Sequence, residues 1–317
     1  MPLLPHRRPI MRRMLQLGAG AVLLHAGRLS AQSIPKDFVT DVRAGVSDVF
    51  AVWGAPFHAS GRDYAISAAA LGMTGVLALS DANIARWVRR HPDDPFLRAL
   101  RPLREGQGDY FVKATGGSGH TPGAFGVYTV GLLVRSPAIR DVGMGCLAAA
   151  EAHTIFRQVV YAAVSRERPL YRETVNDSLI EREGRPYEVH VPGQTTPYDN
   201  SFFSGHAASV FSCVTFVNAR FHLSYVEPVL WAVAAALSVG RAADQHHYAS
   251  DVVVGSLIGF AAGKLVGDRS VRRADRRANA KNMIVPDTGH SSTHSWQDGI
   301  YVSRQHTGLV LGWRTSR

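Results

Sequence analysis

The chain reads as an all-α protein, a bundle of helices that ends in a small β-hairpin-like tail. Apolar runs of helical length recur at 64–80, 124–134, 142–164, 205–219, 229–239 and 252–266. Glycine, proline and charged residues punctuate the intervals between them. After residue 282 the pattern changes: Gly299-Ile-Tyr-Val and Leu309-Val-Leu-Gly-Trp313 flank Arg304-Gln-His-Thr307, two short strand-like stretches around a turn. With 317 residues and 46% hydrophobic content, one sizeable core is within reach, and disordered or fibrous classes are excluded.

The first element is a leader. Arg7, Arg8, Arg12 and Arg13 precede an apolar stretch at 14–26, and small residues ending Leu29-Ser30-Ala31 mark cleavage after Ala31. Basic, apolar and small-residue regions in that order describe an export signal over 1–31. Arg12-Arg13-Met-Leu-Gln also resembles a twin-arginine signal. The expected location is the periplasm, with an uncleaved anchor in the inner membrane as the alternative. A helical domain is expected over 32–275 and an appendix over 276–317.

Most of the apolar runs hold about 11 to 17 residues, short of the roughly 18 to 20 that cross a bilayer. The longer run at 142–164 carries Glu151, His153 and Arg157. A water-soluble bundle is therefore expected. Residues 1–31 hold five arginines and no acid, so their loss lowers the net charge from +10 to +5. The remaining cluster of Arg269, Arg272, Arg273, Arg276, Arg277 and Lys281, mixed with Asp268 and Asp275, reads as a solvated helix end, with a phospholipid-facing patch as the alternative. No aromatic residues are interleaved with it, so nucleic acid is not an expected partner. Cys146 and Cys213 fit no metal spacing and read as buried thiols, although export allows a disulfide.

Three segments carry chemistry. Gly240-Arg241 runs through His246-His247 to Asp251, with a histidine and a carboxylate one helical turn apart. At that offset a carboxylate can hold one ring nitrogen and leave the other lone pair free for attack. Upstream stand Arg166-Glu167-Arg168-Pro169 and Ser201-Phe-Phe-Ser204-Gly205-His206. Ser204-Gly205-His206 opens an apolar helix, so its backbone N–H groups can face an anion, and Gly205 lets the oxygens approach. Arg101-Pro102 and Ser118-Gly119-His120 repeat the first two motifs in miniature, in a Gly-rich stretch at 115–126 that reads as a loop. No Arg-x5-His-x3-Asp element follows them at a comparable distance.

Together the three segments resemble the signature of the type 2 phosphatidic acid phosphatase and vanadium haloperoxidase superfamily, which includes bacterial acid phosphatases. Arg168-Pro169, Ser204-Gly205-His206, Arg241, His247 and Asp251 match in order and spacing over roughly 140–266. Three positions depart: Tyr161 stands where the pattern has lysine, Phe203 where it has proline, and Gly240 where it has serine.

The resemblance implies a helical bundle of that type and assigns roles. His247 attacks phosphorus and becomes a phosphohistidine. Asp251 fixes its tautomer, and His206 protonates the leaving group and then activates water. Arg168 and Arg241 clamp the phosphate oxygens, with Ser204 and Gly205 completing the cradle. A phenol at Tyr161 supplies no charge, and Arg157, four residues earlier on the same helical face, is placed to replace it. Arg166 and Glu167 read as a charged helix end, and His246 as a structural or rim residue. The implied reaction needs no metal or cofactor. Vanadate enters as an inhibitor, and as a cofactor only in the alternative of a vanadium-dependent haloperoxidase. A second alternative is a degenerate phosphate- or lipid-binding protein. The expected partner is a phosphorylated small molecule or lipid, with contact to a membrane surface allowed.

Overall fold

The computed structural model describes residues 33–100, 120–175, 178–187, 189–190, 200–284, 299–305 and 308–314. The leader expected at 1–31, together with Arg101-Pro102 and Ser118-Gly119, lies outside the described residues. The chain runs through α1 (Ser33–Gly54), a 3-10 turn (Ala55–His58), α2 (Gly61–Ala78), α3 (Asp81–Arg90), α4 (His120–Leu133) and α5 (Pro137–Ala163). Short strands β1 (Ser165–Arg166), β2 (Leu170–Val175), β3 (Ser178–Glu183) and β4 (Val189–His190) follow, then α6 (Gly205–Phe221), α7 (Glu227–Ala243) and α8 (Ala249–Ile284). The expected tail hairpin is present as β5 (Gly299–Gln305) paired antiparallel with β6 (Gly308–Arg314).

Local chemistry sets the helix ends. At α2, the Ser60 hydroxyl accepts from the Asp63 N–H while the Asp63 carboxylate accepts from the Ser60 N–H, a reciprocal cap. At α5, Ser136 caps the first turn and Pro137 fills the first helical position, where no N–H is needed. Helix α6 starts at the Ser204 cap and stops at His222, which adopts the left-handed conformation at φ 51°.

The core lies where α5, α6 and α8 meet. Glycines on α8 let it approach α6: a methyl on Gly255, Gly259 or Gly263 would come within 2.3, 2.1 or 2.2 Å of the Ser204, Ala208 or Ser212 carbonyl oxygen. Phe216 of α6 is fully buried against Gly145 of α5, together with Ala148, Ala149 and Val266. Cys146 and Cys213 join α5 to α6 as a disulfide, so the expectation of buried free thiols is corrected. Helix packing brings the two sulfurs together, which sequence spacing could not show.

Several sequence expectations change. α1 and α3 are amphipathic rather than apolar throughout, so the apolar runs of the sequence do not mark them. The stretch 120–126 is helical, not loop. α8 extends far beyond the run at 252–266, and its segment Ala249–Asn279 is long and apolar enough to cross a membrane, with half of its apolar window buried inside the fold. α2 and α3, bent by 50°, pass the same test only if taken together. The basic cluster is partly structural: Arg269 Nε lies 2.6 Å from Asp48 of α1, and Arg273 bonds both Asp48 oxygens at 2.7 Å.

Candidate active site

The site forms where the end of α5, the segment 200–206 and the α7–α8 connection converge. Ser204 is fully buried; its N–H donates to the Asp251 carbonyl at 3.1 Å and its hydroxyl accepts from the Ala207 N–H. The N–H groups of Gly205 and His206 thus open a helix with no internal partner, the arrangement that binds anions. His246 and His247 are drawn back by their N–H bonds to the Arg241 carbonyl, at 3.2 and 3.3 Å, which ties the expected clamp to the expected nucleophile.

His247 is 4% exposed. Its Nδ1 lies 2.6 Å from the Ser201 carbonyl, so Nδ1 carries the proton and Nε2 keeps its lone pair. Burial pushes its pKa well below the ordinary 6.5, with Arg241, Arg168 and His206 adding to the effect while the Ser201 bond opposes it. The imidazole is therefore neutral at neutral pH. Burial and the nearby Arg168 also lower Arg241.

Asp251 differs from the expectation. Its carboxylate does not hold His247. One oxygen accepts from Arg166 and the other from the Tyr248 N–H at 2.9 Å, because His247 precedes α8 while Asp251 sits in its first turn and folds back on the backbone. The tautomer of His247 is set by Ser201 instead. Ser201 is itself clamped: its N–H donates to the Arg166 carbonyl at 2.8 Å and its hydroxyl to the Glu167 carbonyl at 2.9 Å.

Arg166 and Glu167, read from sequence as a charged helix end, are buried and central. The Arg166 guanidinium bridges Asp251 and Asp81, the latter at 2.7 Å, reaches Ser250 at 3.0 Å, and lies over the Tyr248 ring at 4.4 Å. Asp81 also accepts from the Ser250 N–H at 3.1 Å and from the Ser250 hydroxyl. Two buried carboxylates thus share one guanidinium. Burial raises Asp251, with Asp81 contributing, while Arg166 and the Tyr248 N–H lower it. Glu167 takes Arg182 in a paired contact at 2.6 and 2.8 Å. Asp81 lies 85 residues from Arg166, and no motif marks it.

Arg157 lies beside Tyr161, the position where the pattern has lysine. Burial raises the Tyr161 phenol, while Arg157, Arg168 and Arg241 lower it, so three guanidinium groups surround this side chain. Arg157 lies over the Tyr161 ring at 5.3 Å. Its Nη1 presses against Gly205 so closely that a methyl there would come within 1.8 Å. Its Nε is buried without a hydrogen-bond partner. The Tyr161 hydroxyl donates to the Phe203 carbonyl at 3.5 Å. The structure therefore brings together Arg157, Tyr161, Arg168, Ser204, Gly205, His206, Arg241 and His247. Asp251 stands behind them.

The PAP2 superfamily model matches residues 152–269. A lipid A 1-phosphatase of Porphyromonas gingivalis is 36% identical over 72 residues, which cover 21% of this chain and 15% of that protein. No solved structure shows a significant match. Every motif residue named above falls within the matched span, whereas Asp81 lies outside it, and residues 152–269 are accordingly a PAP2 superfamily domain.

Proposed function

We propose that the protein is a phosphatase that hydrolyses phosphate monoesters through a phosphohistidine. The carrying observation is the buried His247 imidazole, whose Nδ1 lies 2.6 Å from the Ser201 carbonyl, beside Arg168 and Arg241. In this reading Nε2 attacks phosphorus as the bond to the ester oxygen breaks, and His206 gives that oxygen a proton. His206 then takes a proton from water, whose oxygen attacks phosphorus and releases phosphate and His247. Arg157, Arg168 and Arg241 meet the charge that spreads over the equatorial oxygens, and the α6 N-terminus adds backbone donors.

The substrate class proposed is a lipid phosphate. The relative named a lipid A 1-phosphatase supports it, and so does α2, an apolar helix whose side chains are exposed on nearly every face, with Thr74 its one buried residue. Ile66, Leu71, Met73 and Val76 are all exposed there, as is Leu79 just past its end. A helix apolar all round needs an apolar environment, and the lipid at a membrane surface would supply one to a protein exported to the periplasm. The test is phosphate release by the purified full-length protein, from phosphatidate in detergent micelles and from p-nitrophenyl phosphate. Faster turnover of phosphatidate is expected. Release from neither compound would defeat the reading, and vanadate-dependent bromide oxidation in their place would favour a haloperoxidase.

A further inference from the structure

A cavity of about 390 Å³ opens next to the site, between α3 and the turn that follows β3. Pro169 and Tyr248 form part of its wall, each one residue from a group of the anion site, Arg168 and His247. Its size falls within the roughly 300–1,000 Å³ of small-molecule pockets. Three arginines, Arg86, Arg89 and Arg185, line it against one acid, Glu183, which Arg89 already engages at 2.5 Å. Arg86 spends one donor on Asn83, and a guanidinium has five.

The remaining feature is Tyr248, which is 2% exposed and whose hydroxyl has no hydrogen-bond partner. Buried hydroxyls are ordinarily paired, so this one marks a place for a ligand atom. The hydroxyl lies beside Gly184, where a methyl would come within 3.1 Å of it and within 1.8 Å of the Arg168 carbonyl oxygen. Any larger residue at 184 would fill that space. Burial raises the phenol well above its usual range, so it stays protonated and can donate. The walls are also fixed: Arg89 holds the Pro169 carbonyl at 3.2 Å and the Gln245 side chain at 2.8 Å, and Asp81 pins the start of α3 to Ser250.

We propose that this cavity is a second oxyanion site, taking a phosphate or carboxylate group that is distinct from the scissile phosphate. The group belongs either to a doubly charged substrate or to a free anion. The first case rests on the phosphatase reading; the second does not.

The test compares the full-length protein with an Arg86→Ala/Arg185→Ala double variant and with Tyr248→Phe. Calorimetric titration with inorganic phosphate, which requires no turnover, should give two sites in the parent and one in the double variant. Turnover of a hexose 1,6-bisphosphate against a hexose 1-phosphate should give a KM about tenfold lower for the bisphosphate in the parent, a difference the double variant abolishes. p-Nitrophenyl phosphate turnover should be unchanged in the double variant. Tyr248→Phe, which keeps the ring over Arg166, should weaken the second phosphate site by about threefold or more. Loss of the second phosphate site without a KM effect assigns it to a free anion. One phosphate site in the parent, or equal stoichiometry and KM ratios in parent and double variant, overturns the proposal. Failure of turnover alone, with two phosphate sites present, would instead count against the phosphatase reading.

Discussion

Replacing Arg157 by alanine tests whether this arginine fills the place of the missing lysine. Its Nη1 lies so close to Gly205 that a methyl there would approach to 1.8 Å, and its Nε is buried without a partner. The resting protein therefore loses little on removal beyond a cation–π contact with Tyr161 at 5.3 Å. Folding stability should change by less than about 1 kcal/mol. A bound oxyanion, in contrast, loses a charge-assisted hydrogen bond of about 1.5–3 kcal/mol. At about 1.4 kcal/mol per factor of ten, vanadate should inhibit Arg157→Ala about 10- to 150-fold more weakly. Gly205→Ala should produce a similar loss by displacing the guanidinium. Because both changes act through one group, the double variant should be little worse than either single variant. Competitive inhibition of p-nitrophenyl phosphate hydrolysis by vanadate reads all three. A vanadate constant within twofold of the parent in Arg157→Ala, or effects that simply add, would refute the assignment.

Asp81→Asn keeps the shape of the side chain but removes one of the two charges on Arg166, and should lower stability by about 1.5–3 kcal/mol in denaturant titrations; an unchanged midpoint contradicts the bridging role. Reducing Cys146–Cys213, which closes a separation of 67 residues, should cost about 4 kcal/mol on the chain-entropy estimate, seen as a lower denaturant midpoint with reductant than without. Because burial depresses the His247 pKa in the folded state, the folded protein binds fewer protons at this residue than the unfolded chain does below pH 6.5. Its contribution to stability is therefore present above that pH and is lost as pH falls through and below it. In an NMR titration the His247 ring signals should stay constant from pH 8 down past 6.5; a midpoint at or above 6.5 contradicts the buried neutral imidazole.

What could be read from the sequence was what local rules and spacing fix. Ser204 begins α6 because a serine before glycine and an apolar helix is a cap, and Arg168, Arg241 and His247 followed from ordered spacing. The tail strands followed from their composition. The pairing of Arg166 with Asp81 is not legible in the sequence, since a lone charge at the end of an element looks the same whether it is solvated or buried against a residue 85 positions away. Helical spacing puts Asp251 one turn from His247, but His247 lies before the helix, so that contact does not form. The β2–β3 hairpin carries one local mark in the sequence, the turn-type pair Asn176-Asp177 between its strands. Arg157 lay between these extremes: its helical face was readable, and its contact with Gly205 required the packing of α5 against α6.

The central claim is that His247 carries the phosphoryl group, and the direct measurement is rapid-quench trapping with a ³²P-labelled ester. The account predicts an acid-labile phosphohistidine at His247, formed within one turnover, along with inactivity and no label in His247→Ala. Near-normal turnover by His247→Ala, or label found on another residue, would contradict it.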